Sequence, residues 1–123
     1  MSWFKIDKLG IAHEDERRAM MNPFNGDFIA RQVKVLKIKK NSTLGNHYHD
    51  YYEMFYILKG KAQYWIKDIQ TEMVHSGILK EGDRLIIEPR VAHKFKMLKG
   101  TVTIEATEKP YISAEYNDRR YDL

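Results

Sequence analysis

From Arg31 to Glu108 the sequence runs in short stretches of alternating apolar and polar residues separated by turn residues, and this pattern constrains the fold more than any other feature. A period of two puts successive side chains on opposite faces of an extended strand, and several such runs at close spacing define an all-β sandwich or barrel. EMFYILKG (53–60), KAQYWIKD (61–68), DRLIIEP (83–89), HKFKMLKG (93–100) and TVTIEATE (101–108) each read as a strand, with turns at Lys59-Gly60, Glu81-Gly82-Asp83 and Lys99-Gly100. In RQVKVLKIKK (31–40), Val33 and Val35 share one parity and Leu36 and Ile38 the other, which predicts a bulge or a register change near Val35. About eight strands are expected, packed as a compact double sheet with few helices.

The 123 residues suffice for one core and not for two, and 43% hydrophobic content excludes disorder. The reading is a single domain, 1–123, with an N-terminal arm (1–30), a β-barrel core (31–108) and a C-terminal tail (109–123). Within the arm, His13 to Met21 predicts a short helix stopped by Asn22-Pro23. The absence of cysteine excludes disulfides, thiolate metal sites and a cysteine nucleophile, so any metal must be held by His, Asp or Glu. No run approaches the roughly 18 apolar residues of a membrane span, and MSWFKIDKLG lacks the apolar centre of a secretory signal, so a cytoplasmic location is expected. The charge of +4 comes from scattered lysines, which reads as a solvated surface; neither nucleic acid nor a membrane is an expected partner.

His47, His49, Glu53 and His93 are the residues whose types and spacing carry chemistry. His47 and His49 are two apart on a strand and share a face; Glu53 has the parity of Phe55 and Ile57, and His93 that of Phe95 and Met97, with Lys94 and Lys96 facing out. Three imidazoles and a carboxylate in one cavity suit a divalent transition metal, Fe, Mn, Ni, Co, Cu or Zn, with positions left for water or substrate. Tyr64, with the parity of Ala62 and Ile66, is a candidate hydrogen-bond donor to the same cavity, whereas Arg84, Arg90 and Lys39 read as solvated charge. Met54, Tyr56 and Leu58 form a second apolar face, which predicts cover by the arm carrying Trp3 and Phe4 or by a second copy of the chain; a homodimer is expected.

The run His47-Tyr48-His49-Asp50-Tyr51-Tyr52-Glu53, with Gly60 beyond it, resembles the first motif of the cupin family, and Gly82, Pro89 and His93 are similar to its second. The resemblance spans about Val33 to Thr107 and implies a double-stranded β-helix, or jelly-roll, barrel with His47, His49, Glu53 and His93 as metal ligands. Asn41, Glu88, Arg90 and Met97 stand where the family usually has glycine, proline, glycine and asparagine, none of them a ligand. A narrower resemblance, carried by Gln32-Val33-Lys34-Val35, Gly45-Asn46-His47-Tyr48-His49 and Glu14-Asp15-Glu16-Arg17, is to cupins of nucleotide-sugar metabolism, in which a histidine at the position of His47 serves as a base without a metal. The expected function is an enzyme acting on a small polar substrate, of the sugar or nucleotide-sugar isomerase, epimerase or dioxygenase type, with His47 and Tyr64 as catalytic candidates. The alternative is a module that binds such a molecule without transforming it.

Overall fold

The computed structural model describes residues 3–123. Its strands are β1 (Phe4–Lys8), β2 (His13–Glu14), β3 (Ala19–Met20), β4 (Gln32–Lys37), β5 (Ser42–Tyr48), β6 (Glu53–Lys59), β7 (Lys61–Asp68), β8 (Val74–Lys80), β9 (Asp83–Ile87), β10 (Val91–Met97), β11 (Val102–Thr107) and β12 (Arg119–Arg120), with one helical turn, α1 (Ala114–Asn117), before the last. All pairings are antiparallel. They build two five-stranded sheets, ordered β1-β9-β6-β11-β4 and β12-β5-β10-β7-β8, plus the small hairpin β2-β3. From β4 to β11 the chain passes back and forth between the two sheets, which is a jelly-roll barrel.

Between the sheets, Phe55, Ile57, Leu85 and Ile87 meet Tyr64, Ile66, Phe95 and Met97, the inward set that strand parity predicts. The other face of β6 is equally buried: Met54 and Tyr56 are 0% and 1% exposed, under Leu9, Phe24, Phe28 and Ala30. The arm therefore covers that face within one chain, and the apolar face that motivated a homodimer is already buried. Trp3 and Phe4, expected over Met54, join the inner core instead, because β1 pairs with β9 at the edge of the first sheet.

Three other expectations need correction. Residues 13–21 form a hairpin rather than a helix, because the Asp15 carboxylate accepts hydrogen bonds from the amides of Arg17 and Arg18 (2.8 and 3.2 Å) and closes a turn there. No bulge occurs at Val35: β4 pairs evenly with β11, Lys34 and Leu36 face inward, and Val33 and Val35 remain 53% and 61% exposed. Arg84 is not solvated. Its guanidinium is wholly buried, donating to Asp7 (2.6 Å), to both carboxylate oxygens of Asp27 (2.9 and 2.6 Å) and to the Pro23 carbonyl (3.0 Å), so it ties the arm to β9.

Candidate active site

The four motif residues converge at one end of the barrel, around a cavity of about 320 Å³. His47 and His93 are direct cross-strand partners on β5 and β10, and Glu53 opens β6 in the facing sheet. The ladder slips by one residue after His93, which Gly45 accommodates: at φ +100° it lies so close to the His93 carbonyl that a Cβ would collide with it. Ring centroids are 4.7 Å apart for His47 and His93, 4.8 Å for His47 and His49, and 5.5 Å for His49 and His93. One ligand atom from each histidine lies within 4.8 Å of the others.

Hydrogen bonds set the ring orientations. His49 Nδ1 lies 2.9 Å from the Asn117 carbonyl and His93 Nδ1 3.2 Å from the Val91 carbonyl, so each donates there and turns an Nε2 lone pair inward. Both Nε2 atoms face Glu53 Oε1, at 3.4 and 3.5 Å, and that oxygen is buried without a hydrogen-bond partner. His47 differs. Its side chain is 24% exposed, against 4% and 3% for the other two, and its Nδ1 faces Asp118 Oδ2 at 3.6 Å, while the other oxygen of that carboxylate, Oδ1, lies 3.4 Å from His49 Nδ1. Burial lowers the pKa of all three histidines, that of His93 most, and so keeps the rings neutral at pH 7. Burial likewise pushes Glu53 well above the usual carboxylate range, with Glu105 adding to the effect.

The tail supplies a large part of this site. Asn117, itself buried, accepts the Ile112 and Ser113 amides on Oδ1 (2.6 and 3.1 Å) and donates from Nδ2 to Tyr51 Oη (2.9 Å) and the Pro110 carbonyl (3.2 Å). That folds the loop so that its own carbonyl meets His49 and the next residue, Asp118, meets His47. Tyr51 stacks on His49 with ring centroids 4.8 Å apart, and burial pushes its phenol up to about 12. β12 then pairs with β5 alongside Tyr48 and His47, and Asn46 fastens the chain beyond it by accepting the amides of Tyr121 and Leu123 (2.9 and 3.0 Å).

Tyr64 is not part of the cavity. Its cross-strand partner is Phe95 rather than His93, which sets it one side-chain layer away from the histidines, against His75 and Gly77 in the core. The tyrosine that lines the cavity is Tyr111, whose hydroxyl donates to Asp118 Oδ2 at 3.1 Å and whose ring lies under Lys34 Nζ at 4.3 Å. Lys34 and its cross-strand partner Glu105 complete the wall. Sequence reasoning missed Lys34, Glu105, Tyr111, Asn117 and Asp118. Only Lys34 carried a signal, in its parity with Leu36.

The donor set fits a metal ion. Glu53 Oε1 has no partner, two imidazole Nε2 atoms face it, and their Nδ1 atoms are held by carbonyl oxygens, as metal-ligating histidines are.

The chain belongs to the Cupin domain family, whose model matches residues 34–108. No curated protein matches the sequence. Among solved structures, the chain is similar to QdtA, a sugar 3,4-ketoisomerase from Thermoanaerobacterium thermosaccharolyticum in complex with TDP, with a TM-score of 0.76 at 18% identity, covering 96% of this chain and 88% of that one. It is similar to WlaRA, a TDP-fucose-3,4-ketoisomerase from Campylobacter jejuni, at 0.75 and 17%, covering 93% and 87%. The rmlC epimerase of Mycobacterium tuberculosis matches at 0.81 and 14%, covering 96% of this chain and 68% of that one. At these identities the likeness establishes the fold.

Proposed function

We propose that this cupin is an isomerase or epimerase that moves a proton next to the carbonyl of a keto sugar carried on a nucleotide. The observation that carries the proposal is the pairing of His47 with Asp118 at the open side of the cavity that Lys34 and Tyr111 also line. A neutral imidazole takes the proton from the carbon beside the carbonyl, and Asp118 balances the imidazolium that forms. The electron pair left on carbon moves onto the carbonyl oxygen. Lys34 lines the cavity and stabilises that charge. A proton returned to the same carbon from the other face gives the epimer, whereas in the isomerase the oxyanion takes the proton of the neighbouring hydroxyl and the imidazolium protonates the former carbonyl carbon, so that the carbonyl moves one carbon along. The neighbours, a sugar 3,4-ketoisomerase in complex with TDP, a TDP-fucose-3,4-ketoisomerase and an epimerase, support this substrate class. Beside the site, a cleft of about 760 Å³ bordered by Tyr51 and Asn117 offers Arg31, Lys109 and Arg119 for a diphosphate.

A second reading rests on the unpartnered Glu53 Oε1. In it, His47, His49, His93 and Glu53 hold a divalent ion, which when bound supplies Lewis-acid polarisation of a substrate oxygen. The two readings use His47 differently, because an imidazole bound to metal is not free to take a proton. The test is transfer of solvent deuterium into TDP-4-keto-6-deoxyglucose, the ligand of another QdtA structure, by tag-free protein stripped with a chelator. Exchange by the stripped protein is expected. Exchange that appears only on adding back a metal would overturn the metal-free reading, and binding of the sugar with no exchange under either condition would make the chain a binding module.

A further inference from the structure

Lysines that are scattered along the sequence are gathered by the topology. The strands β4, β6, β8 and β10 all end at the barrel end opposite the histidines, and the turns that follow them lie side by side: Gly100 N donates to the Ile38 carbonyl, Lys99 N to Asn41 Oδ1, and Thr101 Oγ1 to the Lys61 carbonyl. Lys37 ends β4, Lys39 and Lys40 stand on the turn after it, and Lys96 and Lys99 flank the last turn. Lys59 and Lys61 bracket Gly60, and Lys80 pairs directly with Lys61. All eight are exposed. Of the two acids in these turns, Asp83 is buried and matched by Lys8 at 3.7 Å, which leaves Glu81. The end thus carries a larger positive charge than the +4 of the whole chain. The neighbouring hairpin β2-β3 offsets little of it, since its Glu14, Asp15 and Glu16 stand beside Arg17 and Arg18, with Asp15 paired to Arg17 at 3.0 Å.

The kind of anion follows from what stands between the lysines. Residues 37–42, 58–61, 79–83 and 96–101 contain no arginine and no aromatic residue, so they offer neither bidentate phosphate forks nor rings on which bases could stack. They do carry Leu98, 57% exposed on the β10–β11 turn. Beside it runs a groove of about 440 Å³ in which Lys61 and Lys96 flank Ile78, Met97 and Leu98. Ammonium groups around an apolar tip match charged headgroups above acyl chains. We propose that this end of the barrel docks on the surface of an anionic phospholipid membrane, with Leu98 entering the headgroup layer and the lysines spread over its phosphates. The proposal revises the expectation of a chain without a membrane partner and is independent of the chemistry at the other end.

The test is co-sedimentation of the full chain with vesicles of phosphatidylcholine alone and of phosphatidylcholine mixed with phosphatidylglycerol. Binding to the mixed vesicles only, released by added salt, is expected. Lys39→Glu with Lys40→Glu and Lys99→Glu should weaken it by at least a hundred-fold, at about five-fold for each lysine lost. Arg31→Glu with Lys109→Glu and Arg119→Glu, the same change in charge at the opposite end, should leave it intact. These side chains are solvent-facing, and an unchanged circular dichroism spectrum checks that both variants fold. Absent binding, equal binding to neutral vesicles, equal loss in the two variants, or tighter retention on duplex DNA than on the mixed vesicles would each overturn the proposal.

Discussion

At one end of the barrel three imidazoles and two glutamates face a cavity where burial lowers the pKa of the former and raises that of the latter; at the other, eight lysines stand exposed at strand ends and on turns. The same strands produce both ends. Burial lowers a base and raises an acid, so the first end holds groups whose proton affinity the fold has altered, whereas the second offers ammonium groups to water and to anions. The first end also needs partners for its polar atoms, and much of that supply comes from a segment outside the barrel, residues 110–118. The second end needs none, since water solvates each lysine.

The largest effect that would sharpen this contrast is that of Asp118→Asn. Losing the carboxylate beside His47 should slow deuterium exchange by about 10²- to 10⁴-fold, the usual contribution of general acid–base catalysis, while vesicle binding stays as in wild type. Exchange at the wild-type rate would remove Asp118 from the mechanism. Arg84→Met breaks the tie between arm and barrel and leaves Asp7 and Asp27 without their buried partner. Unfolding in urea should show a loss of about 3 kcal/mol, and a loss below about 1 kcal/mol would mean the clamp is dispensable.

Asn117→Ala removes the two acceptor and two donor contacts that fold the tail, and should cost about 2 kcal/mol of stability as well as lowering exchange; Asn117→Asp, which keeps the acceptor for Ile112 and Ser113, should restore part of each. An exchange rate equal to wild type in Asn117→Ala would separate the tail fold from the chemistry.

The pH dependence is a finer test. Because burial lowers the His47 pKa, the folded protein keeps that base neutral as pH falls through 6.5, so the acid limb of the exchange profile should lie below 6.5. Asp118, which opposes the lowering, should when replaced by Asn move the limb further down. A limb above 6.5 would contradict the assignment. The lowered values for His49 and His93 act in the same direction on stability. Below 6.5 the unfolded chain takes up protons that the folded chain refuses, so these two residues contribute stability above that pH that is lost as pH falls.

The smallest expected effect concerns association. With Met54 and Tyr56 covered by the arm, a homodimer of this chain is proposed to use the edge strand β4, where Val33 and Val35 are exposed. Sedimentation should give twice 14.6 kDa for wild type and 14.6 kDa for Val33→Glu with Val35→Glu. A monomeric wild type would remove the dimer from the account.

How far each feature could be read from the sequence follows from the distance over which its cause acts. Strand alternation and the spacing of His47, His49 and Glu53 are local, and they located the sheets, the inward parity and the cavity. The hairpin at residues 13–20 was misread because a single Asp15 side chain closing a turn outweighs a helix-like spacing over nine residues. Arg84 looked like surface charge because its partners, Asp7 and Asp27, lie in the arm, 77 and 57 residues away. Tyr111, Asn117 and Asp118 sit in a tail with neither alternation nor helical period, and only the fold brings Asn117 to His49 across 68 residues. Tyr64 had the right parity but the wrong height in the barrel, a coordinate that parity does not contain. The lysine end was hidden for a similar reason, since ends of strands become neighbours only once the strands are paired.

The proposed role of His47 as the base is tested by comparing chelator-stripped wild type with His47→Asn for transfer of solvent deuterium into a TDP-4-keto sugar, followed by proton NMR. Exchange is expected in the wild type and a loss of at least about a hundred-fold in the variant, with the β-rich circular dichroism spectrum unchanged. Exchange in His47→Asn at the wild-type rate would contradict it.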